Sequence, residues 1–150
     1  MALTSGDIIV GFSSWTQLEN TGASISAGGM SAAAATECTS AIHEDAALIE
    51  LAISAEFGAN TPTEGKTVDV YYKANDLGVT SQDGNVPTTA HLNKYLGSAV
   101  LKAVAGTQYL HLTGIVLPTQ NFNLYIKNGD DTDAMTWKMW LRPWTTRAKT

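Results

Sequence analysis

The chain has one cysteine, few charges and no long apolar run, and each shortage closes off a class of protein. Cys38 alone cannot form an internal disulfide, nor a thiolate metal cluster built from one copy, so stability has to come from packing and hydrogen bonds. Charged residues make up 15% of the 150 positions, well under the roughly 25% of ordinary soluble domains. Surfaces poor in charge often lie against something. The nine basic side chains are outnumbered by fourteen acidic ones, for a net charge of -5. That balance opposes the counterion release that drives nucleic-acid binding, and no Lys/Arg cluster offsets it. No segment approaches the roughly 18 consecutive apolar residues of a membrane span, and residues 1–10 have neither a charged n-region nor a long apolar h-region. The expectation is a soluble protein without an export signal, binding neither nucleic acid nor membrane.

Catalytic signatures are also missing. There is no GxSxG elbow, no P-loop and no GxGxxG, and His43, His91 and His111 lack the HxH or HxxxH spacing that presents two imidazoles to one metal. No catalytic residue, cofactor or metal ligand is therefore assigned.

What is present is period-two patterning. Residues 46–57 alternate Ile49, Leu51, Ile53, Ala55 and Phe57 with Glu50, Ala52, Ser54 and Glu56, which describes a strand with one buried face and two carboxylates turned outward. Residues 67–75 repeat the pattern, with Val68, Val70 and Tyr72 inward and Asp69, Tyr71 and Lys73 on an amphipathic outer face. Strands follow at 95–104, 109–117 and 122–128, joined by short links that favour antiparallel neighbours. Leu110, Leu112, Ile115, Val116 and Leu117 make the second of these apolar on both faces, which is the pattern of a central strand. A last strand at 135–142 points Trp137, Met139 and Leu141 one way and Lys138, Trp140 and Arg142 the other, and Pro143 is expected to end its pairing. Residues 7–15 read as a first strand bent at Gly11.

Residues 13–42 differ. Their Ala, Ser and Gly side chains offer little apolar area to offset backbone ordering, so this stretch reads as an extended arm or a long loop with short strands, with at most a helical turn at Ala32–Ala35. The 76–93 stretch, with its Asp83-Gly84-Asn85 turn, is a long loop suited to making contacts. The fold expected is all-β, an antiparallel two-sheet β-sandwich of jelly-roll type in a single domain over 1–150, with an extended N-terminal segment and a tail at 143–150.

Four places invite chemistry. His43 beside Glu44 and Asp45 suggests a carboxylate-oriented imidazole, although a polar turn accounts for the same residues. His111 lies on a strand, where a hydrogen-bonded face histidine is the ordinary reading. Asp130, Asp131 and Asp133 could offer oxygens to calcium, but an Asn-Gly-Asp hairpin turn explains them without an ion. Trp140 and Trp144 could stack on sugars or form a protein interface, and the interface is preferred. The basic end, Arg142, Arg147 and Lys149, could dock on an acidic neighbour, although a frayed, solvated terminus is the ordinary reading. The interface residues expected are Trp140, Trp144, Arg142, Arg147 and Tyr71.

The run QYLHLTGIVLPTQNFNLYIKN at 108–128 resembles the C-terminal half of small structural proteins of tailed-phage virions, and the start MALTSGDI with the Ala/Ser/Gly-rich first third is similar in flavour. The resemblance covers the last third of the chain. It implies a capsid decoration or cement protein on the outside of the head, commonly a homotrimer, contacting the major capsid protein or other virion subunits, with a tail or head-fibre component as the near alternative. Two rival readings stand beside it. A carbohydrate-binding module would use Trp140, Trp144 or Tyr71 and the Asp130–Asp133 turn, whereas an enzyme would need His43, Glu44 and Asp45 with a distant partner.

Overall fold

The computed structural model describes residues 8–44, 46–75, 94–118 and 121–148, with the backbone alone at 8–10 and 146–148. The 76–93 loop with His91 and its Asp83-Gly84-Asn85 turn, together with Asp45 and Lys149, lies outside the described residues.

Among the described residues, eight strands form two antiparallel sheets, with one α-helical turn between the second and third strands: β1 (Ile8–Phe12), β2 (Thr16–Ile25), α1 (Ser40–His43), β3 (Leu48–Glu56), β4 (Thr67–Ala74), β5 (Tyr95–Val100), β6 (Thr107–Val116), β7 (Phe122–Asn128) and β8 (Met135–Ala148). The larger sheet runs β1-β8-β3-β6 with β2 also on β8, and the smaller runs β5-β4-β7. One of the two sheets is strongly curled. This is the all-β sandwich that the alternation requires. Ile49, Leu51, Ile53, Trp137, Met139 and Leu141 from one sheet bury against Val68, Val70, Phe122, Leu124 and Ile126 from the other. Each fully buried aliphatic side chain contributes on the order of 1.5–3 kcal/mol relative to exposure.

Residues 13–42 are not an arm. Their first part is β2, a ten-residue strand on β8 that turns Leu18 and Ile25 into the core. The chain then crosses to the smaller sheet and runs along the outer edge of β7. Ser31, Ala34 and Cys38 donate their amides to the carbonyls of Ile126, Leu124 and Phe122 at 2.8, 2.9 and 2.9 Å. The small side chains that gave no amphipathic signal allow this backbone-to-backbone approach, which covers an edge that would otherwise offer unpaired donors and acceptors. Ala32–Ala35 form no helical turn; the α-helical turn among the described residues is α1. Cys38 is wholly buried, and desolvation, helped by neighbouring Glu37, pushes its thiol up to about 12.

Two strand expectations are corrected. β6 is an edge strand, paired with β3 alone among the described residues, while β8 and β3 are central. The cause is a bulge. Ile49 pairs with Ile115 and Leu51 with Leu112, so Thr113 and Gly114, the latter at φ 66°, together oppose Glu50. The extra residue resets the alternation and turns Leu110, Leu112 and Ile115 to the same inner side. The strand is apolar on one face and only looks two-sided in a strict period of two.

Pro143 does not end β8, which continues to Ala148 and pairs there with β1, so this end is no frayed tail. In a strand the amide and carbonyl of one residue point the same way. The Pro143 carbonyl accepts from the Ser13 amide at 3.2 Å, in the break between β1 and β2, so its missing N–H also faces that break and β3 loses no ladder bond.

Candidate functional site

The outer face of the larger sheet gathers most of the chemistry-bearing side chains. Glu50, Ala52, Ser54 and Glu56 of β3 stand opposite Arg142, Trp140, Lys138 and Thr136 of β8, and Ala52, Ser54 and Glu56 oppose His111, Tyr109 and Thr107 of β6. The alternation that sends Trp137 and Met139 into the core sends Trp140 and Arg142 here.

At the β1 end lies a charge cluster roofed by aromatic rings. Glu50 is buried, and its Oε2 accepts from Arg142 Nε at 2.6 Å, with His111 Nε2 at 3.4 Å. The Arg142 guanidinium sits 4.1 Å from the centroid of Phe12 and 4.6 Å from that of Trp15. Trp15 meets His111 edge-on at 5.9 Å, and Phe12 meets Trp144 likewise at 5.2 Å. Burial raises the Glu50 carboxyl's pKa, but the Arg142 hydrogen bond, the nearby Trp144 indole and the charges of Arg142 and His111 outweigh it. The group is held below its ordinary range. The Trp144 N–H lies near Glu50 but is buried without a hydrogen bond of ordinary geometry.

Beside this cluster, Trp15, Ala52, Tyr109 and Trp140 line a shallow apolar groove of about 270 Å³, and Tyr109 is 83% exposed. Further along the same face Thr21, Gly22, Ser54, Glu56, Thr136, Trp137 and Lys138 line a second depression of about 250 Å³, in which polar groups stand among apolar surface.

Of the expected interface residues, Trp140 flanks the groove, whereas Arg142 and Trp144 belong to the Glu50 cluster. Arg142 is thus engaged rather than a free docking cation. Arg147 pairs through its backbone with Ile9. Tyr71 does not belong to the surface. It is 4% exposed, flanked by Tyr95 and Tyr125 on the adjoining strands and meeting the Tyr95 ring at 5.6 Å, so neither an interface nor a sugar platform can use it. Trp15, Tyr109 and Glu50 were not singled out by pattern. Glu50 read as an outward carboxylate, and only its register with Arg142, from a strand far along the chain, reveals the pair.

The other candidate sites resolve into structure. His43 is wholly buried and stacks on Phe122 at 6.1 Å and 17°, while Glu44 turns away, at φ 53°, to accept from Ser13 Oγ at 2.9 Å. Among the described residues, no group of three His, Cys, Asp or Glu is placed to hold a metal. Asp130 is buried and accepts from the Thr63 and Asp133 amides at 3.3 and 3.2 Å and from Thr132 Oγ at 3.1 Å. Desolvation opposes its charge, yet these donors win and its pKa is lowered. Asn128 adds a 2.7 Å bond to the Asp133 carbonyl, completing a turn that needs no ion. Asp130→Ala should cost about 1–3 kcal/mol, because buried donors lose their acceptor. Urea unfolding measures this, and a calcium-dependent rise in the wild-type midpoint would restore the ion reading.

No protein-family model matches the chain, and no curated protein matches it significantly. Its function is therefore read from the geometry of this face and of the sheet border beside it.

Proposed function

We propose that this chain is a non-catalytic structural protein of a virion, a decoration or cement protein that binds the outside of a phage head and stabilises it, self-associating as a homotrimer and contacting the major capsid protein. The observation that carries the reading is the β6 border. Natural edge strands are blunted by lysines, prolines, bulges or brevity, and of these β6 has only the Thr113–Gly114 bulge near one end. β6 is ten residues long and holds no proline, aspartate, glutamate, lysine or arginine. Around it Val100, Val104 and Val116 are each more than half exposed, and Phe12 is equally exposed at the far end of the sheet. Apolar surface arranged along an uncharged edge belongs to proteins that are covered in use. Repeated weak contacts of this kind gain strength on a lattice, where many copies bind neighbouring sites. The resemblance of residues 108–128 to tailed-phage virion proteins supplies the setting, and a tail or head-fibre subunit would use the same border.

The test is mechanical. Shells carrying the protein should withstand higher temperature and stronger osmotic shock than shells stripped of it, and a Val104→Lys, Val116→Lys variant should fail to rebind them. Equal resistance of stripped and decorated shells removes the reading.

A further inference from the structure

The aromatic groove and the second, mixed depression are consecutive parts of one track. Going from Ala52 to Ser54 to Glu56, the residues across β8 change from Trp140 to Lys138 to Thr136, and those across β6 from His111 to Tyr109 to Thr107. Over that interval β3 advances roughly 13 Å. A third depression, of about 300 Å³, shares Glu56 and Thr136 with the second and carries the track on to Gly58. The track is open and long, and it suits a linear chain rather than a single small molecule.

Its chemistry narrows the occupant. Trp15, Trp140 and Tyr109 offer flat apolar faces, and Ser54, Glu56 and Lys138 follow immediately with a hydroxyl, a carboxylate and an ammonium. A sugar ring has both complements: C–H faces that stack on indole and phenol rings, and hydroxyls that both donate and accept. The centre of a protein interface is instead depleted in charge. The two charges in the track are one of each sign, and among the described residues neither is in an ion pair. The stronger charges next to it, Glu50 and Arg142, neutralise each other. The track therefore favours neither a polyanion nor a polycation.

We propose that this track binds a neutral oligosaccharide, with sugar rings stacked on Trp140 and Tyr109 and hydroxyls bonded to Ser54, Glu56 and Lys138. The site shares β6 with the valine border but is built from Tyr109 and the outward residues of β3 and β8, not from the valines, so sugar binding goes beyond the structural role and does not depend on it.

The experiment uses the full chain on an array of glucose, mannose and N-acetylglucosamine oligomers in α and β linkages, alongside sulfated and sialylated chains, followed by calorimetric titration of the best neutral oligomer. The expected result is binding to a neutral series that strengthens with oligomer length. Tyr109→Ala and Trp140→Ala should each weaken it about tenfold, and Val104→Lys should leave it unchanged. Tyr109 is so exposed that its loss leaves folding intact, so that variant decides the matter even where Trp140→Ala is unstable. A blank neutral series, binding confined to anionic chains, or neutral binding that Tyr109→Ala leaves intact each overturns the proposal. So does sedimentation showing that Trp140 and Tyr109 hold copies of the chain together while no sugar binds.

Discussion

Glu50→Gln is expected to lower stability by about 2–4 kcal/mol at neutral pH, a large share of the roughly 5–15 kcal/mol that holds a domain folded. The carboxylate is buried, with Arg142 Nε 2.6 Å away and His111 beside it. Glutamine keeps the volume but leaves the guanidinium packed over Phe12 and Trp15 without its anion. An uncompensated charge in such a place is costly; a partial outlet to solvent around Arg142 keeps the loss under the value for a wholly enclosed ion. The pH dependence has a definite sign. The folded-state pKa of Glu50 is depressed, so the stability it confers is fully present above the unfolded carboxyl pKa and disappears as pH falls through the lower folded value. Asp130 is depressed too, and wild-type stability should fall in the same acid window for both groups. Only the Glu50 part is missing from the variant. The gap between wild type and Glu50→Gln in urea midpoint should therefore shrink as pH falls, because protonated glutamate resembles glutamine. A gap that is constant with pH, or absent at neutrality, contradicts this account of the cluster.

Strand identity was legible in the sequence where alternation was strict and local. The strands at 46–57, 67–75 and 122–128 were bounded within about two residues, since each turns one apolar row inward without interruption. Legibility failed wherever a single backbone event changed the phase. Gly114 shifted β6 by one residue, and an edge strand then imitated a central one. Pro143 looked like a terminator because its missing donor matters only if a neighbour needs it, and which neighbour sits there is a tertiary fact. Residues 29–38 are held by backbone hydrogen bonds, which small side chains permit but do not announce.

The binding face was partly legible. Trp140 was found because it alternates against a core strand. Its companions were not, because Trp15 lies beyond the end of β1, Tyr109 sits on the misassigned strand, and the Glu50–Arg142 pair joins strands 92 residues apart. Cross-strand partnership between distant segments depends on register, which one sequence does not encode visibly. Tyr71 was misplaced for a related reason. Alternation put it on an outer face correctly, but Tyr95 and Tyr125 on the adjoining strands bury it there.

The segment that escaped the sequence is also where the second large effect is expected. Phe122 is wholly buried, exchanges two backbone hydrogen bonds with Cys38 at 2.9 and 3.0 Å, and stacks on His43. It is one of the points at which residues 29–43 are fastened to the smaller sheet, beside Ile126 and Leu124. Phe122→Ala removes a ring from a filled core, which costs about 3–5 kcal/mol when the surroundings cannot collapse. The loss should be unevenly distributed. The β3, β6 and β8 ladder shares only core packing with Phe122, whereas the segment along β7 takes both backbone hydrogen bonds and side-chain packing from it, so the segment should open before the rest unfolds. Cys38 reports this directly. Its thiol is buried and poorly ionised in the native protein, and a thiol-specific reagent should reach it only on global unfolding. In Phe122→Ala, labelling of Cys38 under native conditions should accelerate by more than the fall in global stability accounts for, and exchange at the Ser31, Ala34 and Cys38 amides should quicken while the Leu51 and Met139 amides keep pace with global unfolding. Labelling that merely tracks the global midpoint would mean that residues 29–43 are bound into the core as tightly as any strand.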